Sequence, residues 1–220
     1  MISPTTLDFL KQLIENNNRE WFQLNKTTFD KARENMIEFT GEIVSLLQKI
    51  DPAIDEALDP KKCVMRIYRD IRFSKNKTPY KNNFGVSIPT MGLRNGGVEY
   101  YLHITPGASF IAGGYWMPEN DHLKAIRQEI DYNGSDLIKI IEDEEFIRLF
   151  GDFRAQEKLK TVPKGYGADN ENIELLKLKS FIVMHKIKDA ELCKADTVDY
   201  IASVCSKLQP LAVFLRNAIA

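Results

Sequence analysis

Residues 98–112 read VEYYLHITPGASFIA, and this stretch decides the class of the fold. Residues 98–104 are one run of strand-forming side chains, and residues 108–112 are a second. Pro106-Gly107 between them is typical of a turn. A connection this short joins antiparallel strands, because parallel strands need a crossover of roughly a dozen residues or more. The stretch therefore predicts two neighbouring strands of an antiparallel sheet.

Further strand candidates lie on either side of this pair. Two are upstream, at 63–68 and 84–88, and Asn95-Gly96-Gly97 predicts the turn that leads into the 98–104 strand. Downstream, residues 181–187 are a candidate for a fifth strand. Together these runs predict an antiparallel meander sheet of four or five strands, drawn mainly from residues 63–112.

Helical patterns flank the strands at both ends of the chain. Asp51-Pro52 ends a long helix, because the residue before a proline avoids the α region. Asn133-Gly134 predicts another helix end, and Pro210 predicts a bend or a restart in the last helix. Helices, then strands, then helices is an α+β order. We expect a single domain over residues 1–220, helical at 1–60, mainly β at 61–117 and mainly helical at 118–220. The apolar stripe of the long helix consists of Phe29, Ala32, Met36, Phe39, Ile43, Leu47 and Ile50.

The composition is that of an average globular protein, with 44% apolar and 28% charged residues in a chain of 220. A net charge of −1 argues against a general affinity of the whole chain for polyanions. The N-terminus does not resemble a signal peptide, and no apolar run approaches the roughly 20 residues of a membrane span. Cys63, Cys193 and Cys205 are few and far apart, which suits a reducing compartment. We expect a soluble, cytoplasmic protein without a membrane contact.

The charge pattern is most unusual at residues 61–81, which contain eight basic residues and a single acidic residue, Asp70. The preceding stretch, 33–60, is acidic, with seven acidic residues against two basic ones. Two interpretations stay open. Either the basic strand pairs with the acidic helix and contributes only stability, or it faces open space and binds an anion. Arginine forks bind phosphate or carboxylate through two bonds, and lysines add point charge.

Alternation along a regular strand would divide this motif into two faces. One face would hold Arg66, Tyr68, Asp70 and Arg72, and the other Ile67, Arg69, Ile71 and Phe73. The second set resembles a core face in which Arg69 is the anomaly. Either a bulge re-aims Arg69, or it is buried and finds an acceptor. We therefore expect Arg69 to be structural, and Arg66 and Arg72 to be functional.

The motif also carries a resemblance to a known family. RIYRDIRF at 66–73, followed by Asn76-Lys77 and Tyr80, resembles the signature of a conserved bacterial family of unknown function, RxxRDxRF, then Asp/Asn-Lys, then Tyr. NREWF at 18–22 with Asn25-Lys26 is similar to the N-terminal segment of that family. Its later landmarks resemble Pro106-Gly107, Gly113-Gly114 and residues 163–166. The resemblance runs nearly end to end and implies one domain, but no established activity.

The preferred hypothesis is a site for a small anionic ligand that bears phosphate or carboxylate, around which an enzyme could be built. A structural or interaction domain with internal salt bridges is the alternative, and nucleic-acid binding through stacked aromatic residues ranks third. His103, His122 and His185 lie far apart, so no metal site is predicted. The sequence identifies no cofactor, oligomeric state or reaction. The candidate ligand-binding residues are Arg66, Arg69, Asp70, Arg72, Lys77 and Tyr80, and the candidates for the site wall are Trp21, Asn25, Lys26, His103 and Lys164.

Overall fold

The computed structural model describes residues 1–90 and 97–220, without the side chain of Arg154. The turn predicted at Asn95-Gly96 lies outside the described residues. The helices of the described residues are α1 Pro4–Glu15, α2 Arg19–Leu24, α3 Lys26–Ile50, α4 Pro60–Cys63, α5 Asn120–Ile141, α6 Glu144–Phe150, α7 Ile173–Leu176, α8 Asp189–Leu192 and α9 Thr197–Ala218. The strands are β1 Phe84–Pro89, β2 Glu99–Ile104, β3 Phe110–Tyr115 and β4 Phe181–Lys186.

The four strands form one antiparallel sheet in the order β1-β2-β3-β4. This confirms the α+β class and the meander. The fourth strand is the one predicted at 181–187, which reaches the sheet only after the helical segment that follows β3. Helices from both ends of the chain pack on the sheet, since α9 contacts β3 and α3 contacts both α9 and β1.

The strand predicted at 63–68 is not part of this sheet. Cys63 ends α4, and the following residues make only isolated bridges, Val64 with Val86 and Tyr68 with Tyr80. Next to the second bridge, the N–H of Arg69 donates to the carbonyl of Pro79 over 3.0 Å. The reciprocal bond cannot form because proline has no N–H group, so the ladder stops there. The predicted alternation between a core face and an exposed face also fails in this segment. Phe73, which was assigned to the core face, is 95% exposed.

The two faces of the sheet have different partners. Val86, Leu102, Ile111 and Val183 lie on the face that packs against the helices, and all four are buried. Side chains at the alternate positions of β1 to β4 point to the opposite face. We call this second surface the open face, and it holds the candidate site.

The helix predictions succeeded where the signal was local. α3 buries the apolar stripe from Phe29 to Leu47 and ends at Asp51, as expected. The helix end predicted at Asn133-Gly134 coincides with a kink, because Asn133 has non-helical backbone angles (φ −125°, ψ 31°) and α5 consists of two helical stretches that meet there. Gly134 lies so close to the Asn172 side chain that a Cβ atom would be 2.3 Å from its Nδ2. That Nδ2 donates to the carbonyl of Ile130 over 3.3 Å, which satisfies a backbone group beside the kink.

α9 is the one helix of the described residues that is long and apolar enough to span a membrane by length and composition. The sequence does not show this helix as an uninterrupted apolar run, because Asp199 and Lys207 lie within it. The helix packs against α3, α5 and β3, and its Ile201, Leu208 and Leu215 are fully buried. It therefore has the surroundings of a core helix.

Candidate functional site

The guanidinium group of Arg72 forms an ion pair within the protein. Its Nε and NH2 donate to the two carboxylate oxygens of Asp70 over 3.0 and 2.7 Å, and its backbone N–H donates to the same carboxylate. These bonds hold the pKa of Asp70 below its usual range. The pair lies on the surface, where the Arg72 side chain is 76% exposed. The structure thus pairs internally two residues that the sequence placed in a ligand site.

Arg69 is held by hydrogen bonds within its own loop. Its NH1 donates to the carbonyl and the hydroxyl of Thr78, and its NH2 donates to the Ser74 hydroxyl. Asn76 orders the same loop by accepting from the N–H and hydroxyl of Thr78. The described acceptors of Arg69 are all neutral, so it stabilises the loop at 74–78 rather than forming an ion pair.

Tyr80 and Lys77 are also committed to the fold. The Tyr80 ring is buried and stacks on Phe22 with 4.0 Å between ring centroids, and burial is the main cause of its raised pKa. The amide of Asn17 holds the Tyr80 backbone through two bonds. Lys77 donates to the carbonyl of Ile71 over 2.9 Å. Tyr80 lines a separate cleft of about 350 Å³ together with Tyr68 and Arg69.

Arg66 and Lys81 are two cations that remain available to a ligand. Both line an open cleft of about 630 Å³ together with Tyr68, Asp70, Ser87, Glu99 and Tyr101, and Lys62 lines the same cleft. We call this the polar cleft. Within the described parts of the chain, neither the Arg66 nor the Lys81 side chain forms a hydrogen bond or ion pair. Burial lowers the pKa of Lys81, and the positive charge of Arg66 lowers it further.

The floor of the polar cleft is the open face of β1 and β2. Glu99 accepts a hydrogen bond from the hydroxyl of Ser87, and burial raises its pKa against the effect of that bond. Tyr101 also has a raised pKa, mainly through burial and secondly through the charge of Glu99. Its hydroxyl lies 3.2 Å from Nδ1 of His103. Perturbed pKa values of this kind gather at functional sites more often than elsewhere.

His103 is the one wall candidate that reaches this surface. Its ring stacks on Phe110 at 4.7 Å, and burial, then the charge of Lys81, lowers its pKa. The histidine is therefore biased toward the neutral form by burial and by the charge of Lys81.

The remaining wall candidates lie elsewhere. Trp21 stacks on Phe9 in the core at 6.0 Å, and Asn25 donates to the Trp21 carbonyl at the end of α2. Lys26 pairs with Asp30 and lines a smaller neighbouring cleft that also includes Arg66. Lys164 is exposed in the turn at 163–166, and no described contact joins it to the basic motif.

Beside the polar cleft, the open face becomes apolar. A second cleft of about 360 Å³ lies over β3 and β4, and we call it the apolar cleft. Phe110, Ala112, Ile182 and Met184 line it, with Trp116 at one end. Gly114 belongs to its floor and has a φ of +115°, where a Cβ atom would lie 2.1 Å from the carbonyl oxygen of Phe181. The Gly113-Gly114 pair thus allows close strand approach.

Sequence reasoning missed Ser87, Glu99 and Tyr101 as site residues. A signal was present, because Glu99, Tyr101 and His103 alternate with the buried Tyr100, Leu102 and Ile104 along β2. That alternation places three polar groups on one face of the sheet. Among the described residues, no group of three or more His, Cys, Asp or Glu side chains is placed to hold a metal ion.

Comparison with known families gives one match. A family model described as "Conserved hypothetical protein (DUF2461)" matches residues 5–214, which is nearly the whole chain. No curated protein and no solved structure matches the chain. The match confirms the expected kinship with a family of unknown function.

Proposed function

Because the chain belongs to the DUF2461 family of conserved hypothetical proteins, whose description gives no activity, we propose a function from the polar cleft itself. The protein binds a small organic anion, a phosphate or a carboxylate, between Arg66 and Lys81. The observation that carries this proposal is that both cations line one cleft and that neither side chain forms a hydrogen bond or ion pair among the described residues. Arg69, Arg72 and Lys77 of the same motif have partners in the fold, and Lys62 adds a further positive charge to the cleft.

The electrostatics favour an anion at this position. Burial is the main cause of the lowered pKa of Lys81, and repulsion by the neighbouring charge of Arg66 lowers it further. An anion between them removes the repulsion and gains charge-assisted hydrogen bonds. The charge of Arg66 contributes to the lowered pKa of Asp70, after the bonds from Arg72, but Arg72 engages both carboxylate oxygens of Asp70 and Arg66 forms no ion pair with it.

Binding can be tested by calorimetric titration with inorganic phosphate, phenyl phosphate and benzoate. Arg66→Ala should weaken binding at least tenfold and leave the melting temperature unchanged or raised, since the variant removes an unpaired like charge. Arg148→Ala is the matched control, because Arg148 pairs with Glu145 on α6, away from the polar cleft. Equal binding by wild type and Arg66→Ala would exclude the proposal.

A second candidate function rests on the loop at 70–78. Phe73 is 95% exposed and lies 5.9 Å from the Arg72 guanidinium, close in sequence to Lys75 and Lys77. An exposed aromatic ring among cations is the kind of surface on which single-stranded nucleic acid stacks. Strongly salt-dependent binding of an oligonucleotide that Phe73→Ala abolishes would favour this candidate over a small ligand.

The cellular location stays a proposal as well. Within the described residues, none of the three cysteines forms a disulfide. Reduced thiols suit the cytoplasm of a bacterial cell. Fractionation of cells producing the tagged protein should recover it with cytoplasmic markers, and recovery from a secreted or membrane fraction would refute this location.

A further inference from the structure

The side chains on the open face change from polar on β1 and β2 to apolar on β3 and β4. Ser87 on β1 and Glu99 and Tyr101 on β2 are polar, whereas Phe110 on β3 and Met184 on β4 are apolar. The helices cover the other face of the sheet. A surface that is polar at one end and apolar at the other suits a ligand with the same division.

The two clefts adjoin each other on β2, where they share lining residues. Glu99 and Tyr101 line both the polar cleft and the apolar cleft. Four neighbouring strands span three strand spacings, a distance of roughly 14 Å. Each cleft has a volume in the range of small-molecule sites.

The apolar cleft leaves large side chains in water. Trp116 is 64% exposed and Met184 is 44% exposed. Exposed apolar side chains grouped around a cleft favour a bound apolar group, because covering them removes apolar surface from water. The cations Arg66 and Lys81 at the other end specify the charge of the same ligand.

We propose that the ligand is an amphipathic organic anion whose charged group lies between Arg66 and Lys81 and whose apolar chain or ring lies along Phe110, Ala112 and Met184. This rests on the proposed function, since it assigns the anion to the same two cations. Glu99 and Tyr101 then face the middle of the ligand, where they select a group that donates or accepts a hydrogen bond.

The position of the Tyr101 ring depends on a glycine of β1, Gly85, which leaves room for it. A Cβ atom at Gly85 would lie 2.8 Å from the Tyr101 hydroxyl and 2.9 Å from the sulfur of Met65. Both contacts are closer than real Cβ contacts allow. Glycine at this position therefore lets the Tyr101 ring lie across β1, at the junction of the two clefts.

The test compares calorimetric titrations with inorganic phosphate, hexyl phosphate and hexanoate. We expect hexyl phosphate to bind at least tenfold more tightly than inorganic phosphate. Met184→Gln should weaken binding of hexyl phosphate several-fold without altering that of inorganic phosphate. Ile147→Gln is the matched control, because Ile147 is 46% exposed on α6 and lies outside both clefts. Hexanoate shows whether a carboxylate replaces the phosphate.

The outcomes separate this inference from the proposed function. Equal affinities for inorganic and hexyl phosphate, both lost in Arg66→Ala, would overturn the amphipathic ligand and keep the anion site. Hexyl phosphate binding that Met184→Gln weakens but Arg66→Ala does not would overturn both, because the charged group would then lie elsewhere. Loss of hexyl phosphate affinity in both variants, with the phosphate affinity changed only by Arg66→Ala, supports both.

Discussion

The carboxyl group of Glu99 is partly buried by the fold, although the residue lines the polar cleft. Burial raises its pKa, and the Ser87 hydroxyl opposes this by donating to the carboxylate. The ionised form is therefore less favourable in the folded chain than in the unfolded chain. Stability linked to such a group decreases as pH rises through the pKa of the folded state, because the folded chain holds its proton longer.

The pH dependence of stability should change in Glu99→Gln. The variant keeps an acceptor for Ser87 but cannot ionise. We expect its melting temperature to exceed that of wild type at pH 8, and the difference to shrink as pH falls toward 4.5, the ordinary pKa of a glutamate. Glu171→Gln, at an exposed position, is the control. A difference that grows toward acid pH would contradict the raised pKa.

At the scale of secondary-structure elements, a buried ionic cluster connects α3, α9 and β2. Asp51 at the end of α3 accepts two bonds from Arg216 of α9, over 2.8 and 2.9 Å, and one from the Tyr100 hydroxyl of β2, over 2.7 Å. Asp51 is fully buried and Arg216 is 7% exposed. The cluster fixes the first long helix and the last one against the sheet that carries the site. Burial next to Asp51 raises the pKa of Tyr100, which keeps its hydroxyl a donor.

Breaking this cluster should cost far more than removing a surface pair. Asp51→Asn leaves the Arg216 charge buried without its carboxylate, and we expect a loss of about 3–5 kcal/mol in the free energy of unfolding by urea. The double variant Asp51→Asn/Arg216→Met should recover part of that loss, because it removes the stranded charge. Additive losses in the double variant would show that the two residues do not stabilise the fold as a pair.

The elements also show how far sequence reasoning reaches. The stripe of α3 was predictable because helical periodicity is local, and β4 because its strand formers are contiguous. The strand at 63–68 was not, since its ladder depends on Pro79 beyond the intervening loop. The polar cleft likewise depends on contacts between residues that are far apart in the sequence. Arg66 was identified from local charge, but Glu99 and Tyr101 join it only through the pairing of β1 with β2.

At the scale of the whole molecule, one buried apolar cluster runs from Ile2 to Leu215 and includes side chains from helices and strands alike. It includes Cys63, the last residue of α4, and Cys205, in the middle of α9. The two thiols therefore report on α4, which packs against α3 and β1, and on the C-terminal helix. Burial raises the pKa of Cys205 to about 12, so the folded protein presents it as an inaccessible, protonated thiol.

If residues 1–220 form a single domain, these thiols should become reactive in one transition. We expect Cys63 and Cys205 to resist a thiol reagent at pH 8 in the native protein, with the half-buried Cys193 reacting slowly. As urea is added, both buried thiols should become labelled at the midpoint measured by far-ultraviolet circular dichroism, because a cooperative core opens as a unit. Cys193→Ser simplifies the assay, and each buried thiol is assigned by mass spectrometry of the labelled peptides. Labelling of Cys63 well before Cys205 would divide the chain into two cooperative units, since the region around α4 would then lose its protection while α9 stayed folded.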